Sequence, residues 1–119
     1  MRLIPSPGFR EWRTSLSPEF RAEVDDALAY LRQFGRDAAL PYVRHRIQTS
    51  RHYPDMSEVR VLVDGHQLRV LVSFEPVDLV LVLLGGDKTD SGNAWYAQAI
   101  PVADDLINQV RNYRASRSQ

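Results

Sequence analysis

Glu58-Val59-Arg60-Val61-Leu62-Val63-Asp64-Gly65-His66-Gln67-Leu68-Arg69-Val70-Leu71-Val72-Ser73-Phe74 is the stretch that decides the fold. Val59, Val61 and Val63 alternate with polar or mixed residues, and Leu68, Val70, Val72 and Phe74 resume the alternation after Asp64-Gly65. A period of two on both sides of an Asp-Gly pair predicts antiparallel strands joined by a two-residue turn. Such a turn pairs Val63 with His66 and sets Arg60 directly opposite Arg69. The valines then share the core face with His66, Leu68, Val70 and Val72, while both arginines lie on the other face. Like charges placed across a ladder repel. An anion between them relieves the repulsion, and a phosphodiester suits a pair of guanidinium forks. The ordinary alternative is a surface network in which Glu58, Glu75 or Asp87 neutralises the arginines, since structural ion pairs mimic sites.

Outward from the hairpin, Pro76 lies in a second connection before Leu79 to Leu84, an apolar run without alternation that reads as a central strand covered on both faces. Gly85-Gly86 then looks like a strand terminator. A helical region is expected from Trp95 to Tyr113, kinked or restarted at Pro101, with Ala103, Leu106, Val110 and Tyr113 as its apolar stripe. Toward the N-terminus, Ser17-Pro18 reads as N-cap and first helical residue. Phe20, Val24, Ala27, Leu28, Leu31 and Phe34 follow at helical spacing, and Gly35 sits where a C-terminal cap belongs. Residues 9 to 16 are either a short edge strand or the approach to this helix, and residues 36 to 50 a short helix or an irregular connection around Pro41. The order is helix, three-strand antiparallel meander, closing helix, which is an α+β layer.

A chain of 119 residues, 44% hydrophobic and 25% charged, fits one globular domain with a single core. The absence of cysteine excludes a disulfide scaffold and a zinc–thiolate site, and fits a reducing cytoplasm. Met1-Arg2-Leu3-Ile4-Pro5 is unlike a signal peptide, and the longest apolar run is far short of the ~20 residues that span a bilayer. Zero net charge argues against nucleic-acid binding by bulk electrostatics. A local basic surface remains open, because the three histidines lie among Arg44, Arg46, Arg51, Arg60 and Arg69.

Fourteen of the fifteen basic residues are arginine; Lys88, after Gly85-Gly86-Asp87, is the one lysine. At the mouth of a strand its compact, titratable charge suits phosphate binding or proton donation, although a loop lysine of no special role is the commoner case. His52, in Ser50-Arg51-His52-Tyr53, is the histidine best placed for acid–base work, and Tyr96 offers a hydroxyl or a stacking ring. No histidine spacing resembles a metal motif, and no nucleophile elbow, P-loop or dinucleotide fingerprint occurs.

Taken in order, Ser50-Arg51-His52, Ser57-Glu58-Val59-Arg60, Leu68-Arg69-Val70-Leu71, Phe74-Glu75-Pro76, Leu83-Leu84-Gly85-Gly86-Asp87-Lys88, Trp95-Tyr96 and Ile100-Pro101-Val102-Ala103-Asp104 resemble the HigB-type branch of the RelE/ParE toxin superfamily. The likeness spans about residues 9 to 110 and treats the chain as one toxin domain with a flexible tail from 114 to 119. It implies N-terminal helices packed on a twisted antiparallel sheet with a C-terminal helix. It also implies the toxin of a type II toxin–antitoxin pair, a cytoplasmic ribosome-dependent endoribonuclease that cleaves mRNA by 2′-hydroxyl attack without metal or other cofactor. On that resemblance Arg60 and Arg69 clamp the phosphate, and Lys88 stabilises charge or donates a proton. His52 or Tyr96 completes the acid–base pair, and Arg51 and Trp95 contact substrate. The implied partners are a cognate antitoxin of helix-turn-helix type, through which alone DNA is met, and the ribosome with its mRNA; no membrane is involved. Ser73, Glu75-Pro76 and the insertion-like Thr89 to Asn93 depart from the usual pattern. Two other functions compete: a ParE-like, non-nucleolytic gyrase inhibitor, which gives Arg60, Arg69 and Lys88 no common task, and an inactive antitoxin-binding module, which the neutral charge favours.

Overall fold

The computed structural model describes residues 1–117. Its elements run β1 (Arg2–Pro5), α1 (Pro7–Ser15), α2 (Pro18–Phe34), a 3-10 turn (Gly35–Asp37), β2 (Val43–Arg44), β3 (Met56–Val63), β4 (His66–Glu75), β5 (Leu79–Asp87) and α3 (Asn93–Arg117). The strands form one mixed sheet in the order β1-β5-β4-β3-β2. The fold is α+β, as the sequence leads one to expect, with five strands in place of three.

The hairpin has the expected register: Val63 pairs with His66 and Arg60 with Arg69. Asp64 and Gly65 hold φ of 49° and 76°, the double left-handed geometry of the turn that matches strand twist. α2 begins at the Ser17 cap, whose hydroxyl accepts from the Phe20 amide at 3.2 Å, and ends at Gly35 with φ 54°. Residues 9 to 16 prove helical. Ser6 caps α1 by accepting from the Phe9 amide and donates to the Leu83 carbonyl at 2.7 Å, which pins the helix to β5. β1 lies parallel to β5, with Arg2 opposite Leu79.

The sheet has two covered faces. Val59, Val61, Val63, Leu68, Val70, Val72, Val80 and Val82 pack with Phe9, Val24, Leu28 and Leu31 of α1 and α2. On the other face Met56, Leu71, Leu81 and Leu83 meet Ala99, Ile100, Ala103 and Ile107 of α3. The expected α3 stripe is therefore rotated: Leu106 and Val110 are only partly buried and Tyr113 is exposed. Buried Asp104 accounts for the rotation, because it accepts from the Ser50 hydroxyl at 2.6 Å and the Arg51 amide at 3.0 Å. α3 runs to Arg117, so residues 114 to 117 of the expected flexible tail are helical; residues 118 and 119 lie outside the described part. No helix among the described residues is long and apolar enough to cross a membrane.

Candidate active site

Sheet register and one irregularity bring the candidate cations together. Between Leu71 and Val72 the pairing with β5 shifts, from Leu84 to Val82. This bulge changes the parity of β5. Leu81 and Leu83 face α3 before it, and Leu84, Gly86 and Lys88 face α3 after it. Without the extra residue Lys88 would point to the α2 side, so the bulge aims it at the arginine face. Gly85 and Gly86 sit inside the strand and do not terminate it. An added Cβ on Gly85 would overlap the Trp12 ring, and one on Gly86 the Trp95 ring, on opposite faces.

At the centre lies Glu58, 1% exposed, with neither carboxylate oxygen hydrogen-bonded. Arg60 Nε stands 3.9 Å from it and Arg69 Nε 4.0 Å. Arg69 is itself buried and held by other groups: Nε donates to the Tyr96 hydroxyl at 3.3 Å, Nη1 to the Leu68 carbonyl at 3.0 Å and Nη2 to Gln67 Oε1 at 3.5 Å. Lys88 Nζ lies over the Tyr96 ring, 5.0 Å from its centroid. Arg44 faces Glu58 across the β2–β3 pairing.

The charges act on one another. Burial lowers the Lys88 pKa, and Arg69, Arg60 and Arg44 push it further down against the pull of Glu58. Burial raises the Tyr96 phenol, and the Glu58 carboxylate adds to that effect against Arg69. The Tyr96 phenol is therefore harder to deprotonate than an ordinary tyrosine, and its hydroxyl accepts from Arg69. Four cations face one carboxylate, so the cluster carries net positive charge beside a phenolic proton. Such an arrangement can bind a phosphate and protonate an oxygen attached to it.

Arg60, Arg69, Lys88 and Tyr96 thus converge, and Trp95 adjoins them, packed edge-on to Tyr96. His52 and Arg51 do not join them. The His52 Nδ1 accepts from Arg111 at 3.3 Å, and Arg111 bonds Glu75 at 2.6 and 3.0 Å. Glu75 is six residues from Arg69 along β4, roughly 20 Å at the rise of an extended strand. Arg51 pairs with Asp105 at 2.6 Å and with buried Asp104, so it ties its loop to α3. The Ser50-Arg51-His52 segment is too far along the sheet to reach the cluster.

The sequence pattern of the family described as Phage derived protein Gp49-like (DUF891) matches residues 11–108. The chain belongs to the Gp49-like family. Its relatives include a Mycobacterium tuberculosis H37Rv protein named "Putative toxin HigB3", 32% identical over 104 residues, covering 87% of this chain and 88% of that one. A second from the same organism, "Putative toxin HigB2", is 29% identical over 97 residues, 81% of this chain but 47% of its own. Both the HigB-like kinship and the α+β architecture expected from the sequence are borne out. Within this Gp49-like fold, two site residues went unassigned in the sequence. Arg44 lies on a two-residue strand that shows no period, and Glu58 reads as a plain counter-charge until its missing hydrogen bonds are seen. The Asp104 anchor was visible only as part of the Ile100–Asp104 motif.

Proposed function

We propose that the chain is the toxin of a type II toxin–antitoxin pair and acts as a ribosome-dependent mRNA endoribonuclease. Its RNA phosphate sits among Arg60, Arg69 and Lys88. The 2′-hydroxyl gives its proton to solvent water as its oxygen attacks the adjacent phosphorus, the bond to the 5′-oxygen breaks, and a 2′,3′-cyclic phosphate forms. The three cations stabilise the extra charge on the phosphoryl oxygens, and Tyr96 donates its proton to the departing 5′-oxygen. Tyr96 recovers that proton from water. What carries this reading is the excess of cations around a buried carboxylate that hydrogen-bonds to none of them. The names of the two relatives support its toxin half. His52 has no part in this scheme.

A second reading, an inactive module that only binds the antitoxin, gains support from the removal of His52 from the cluster. The test is induction of wild type, Arg69→Ala and Lys88→Ala in a host without antitoxin, with mRNA ends mapped during growth arrest. Codon-phased cuts that vanish in both variants uphold the nuclease. Arrest with intact mRNA and a DNA-damage response favours gyrase inhibition, and no arrest favours the inactive module.

A further inference from the structure

A cleft of about 700 Å³ opens beside the cation cluster, between α2 and the outer edge of β3. Its floor is apolar, with Tyr30 packed edge-on to Tyr42 at 5.4 Å and Leu62 beyond. Tyr42 and Leu62 are 57% and 75% exposed and lie together along this cleft. The walls carry opposite charge. Glu23 and Asp26, three apart on α2, form one rim, and Arg60 and Arg69 form the other.

The backbone along this cleft is an open edge. β2 pairs with β3 only at Val59 and Glu58, and the Arg60 amide donates to the Tyr42 carbonyl at 2.8 Å. Strand alternation turns the amide and carbonyl of Leu62 to the same outer side as the Arg60 amide, past the end of β2. An exposed edge flanked by apolar side chains is a template for an added strand. RNA carries one sign of charge, and the Glu23–Asp26 rim repels it. A polypeptide can present an acid to one rim and a base to the other.

We infer that this cleft docks the cognate antitoxin through an extended segment that pairs with β3 at Leu62. The segment seats apolar side chains against Tyr42 and Leu62, a basic side chain at Glu23 and Asp26, and a carboxylate at Arg60. Because Arg60 also belongs to the phosphate cluster, the bound segment and an RNA phosphate exclude each other. This inference rests on the toxin reading above.

The probe is the purified product of the open reading frame adjacent to this chain's own, titrated against wild type, Leu62→Glu, Glu23→Arg and, at the far end of the sheet, Val77→Glu. Binding to Leu62→Glu and Glu23→Arg is expected to weaken ~10-fold or more with melting temperatures unchanged, as for anchors of an interface. Val77→Glu binds as wild type, and the Leu62 amide gains protection from hydrogen exchange only in the complex. Undiminished binding to both cleft variants overturns the inference. So does a loss of mRNA cleavage in these variants with binding intact, which assigns the cleft to RNA, or a homodimer dissolved by Leu62→Glu with binding intact. A wild type that cleaves mRNA yet does not bind the product overturns the inference alone. A wild type that cuts no mRNA but is protected at Leu62 by the product upholds the docking site while the nuclease reading fails.

Discussion

The α3-covered face of the sheet carries two buried glutamates, Glu75 at one end and Glu58 beside the cations that lead to the other, and the two are treated in opposite ways. Glu75 is wholly satisfied: Ser73 donates to it at 2.9 Å, Arg111 at 2.6 and 3.0 Å, and Arg114 at 3.0 Å. Asp55 balances Arg111 at 3.0 Å. Glu58, opposite Leu71 in the middle of β4, has no hydrogen bond and two arginines at 3.9 and 4.0 Å on its far side. One end is a closed ionic lock. The other keeps cations beyond what its carboxylate holds, which is a poor arrangement for stability and a good one for an incoming phosphate.

If that contrast is right, substitutions at the open end act on activity and those at the closed end on stability. The largest expected effect is on cleavage by Arg69→Ala, which falls about 10²–10³-fold in a cleavage assay, the usual loss when one preorganised charge donor is removed. Arg69→Lys keeps the charge without the fork and recovers only part of that loss. Glu75→Gln is expected to cost roughly 3 kcal/mol in urea melts, the lower end for breaking a buried ionic cluster because Arg111 and Arg114 reach solvent. Its catalytic rate per folded molecule stays near wild type. Equal loss of cleavage in both variants would erase the contrast.

Glu58→Gln sharpens it. Removing a buried charge that lacks hydrogen bonds offsets the loss of two long ion pairs, so stability changes by less than about 1 kcal/mol. Cleavage still falls, because Arg60 and Arg69 lose the carboxylate they stand against and Lys88 loses the one charge that pulls its pKa up.

Acid distinguishes the ends as well. Burial pushes the Glu75 carboxyl up, but hydrogen bonds from Arg111 and Ser73 and the charges of Arg111 and Arg114 more than offset it, leaving the pKa below its ordinary value. A depressed carboxyl contributes stability in full above its unfolded value of about 4.3 and loses it as pH falls through the lower folded value. Equilibrium unfolding followed against pH should show an acid limb below pH ~4.3 that flattens in Glu75→Gln. The smallest effect is expected at Val77, which is 96% exposed and holds φ 62° in the turn after the closed end. Val77→Asn should raise stability by about 0.5–1 kcal/mol in thermal melts and leave cleavage unchanged.

Much of the open end was legible because it is built from near neighbours in sequence. The Asp64-Gly65 turn and the period of two are enough to oppose Arg60 and Arg69, and Lys88 follows from the end of the next strand. The bulge that aims Lys88 was visible only as a lack of alternation in Leu79 to Leu84. The closed end was not legible. Glu75 and Arg111 are 36 residues apart and meet only once α3 docks, and His52 looked catalytic by residue type while that docking carries it to Arg111. β1 escaped notice because four edge residues paired in parallel with a distant strand leave no local period.

The most direct test is titration of the protein with a short RNA whose 2′-hydroxyls are replaced by hydrogen, read by NMR signals of the arginine Nε–H and lysine ammonium groups. The account predicts saturable shifts at Arg60, Arg69 and Lys88, weakening with added salt, while Arg111 and Arg114 stay still. Shifts at Arg111 and Arg114 with Arg60, Arg69 and Lys88 unmoved would contradict it.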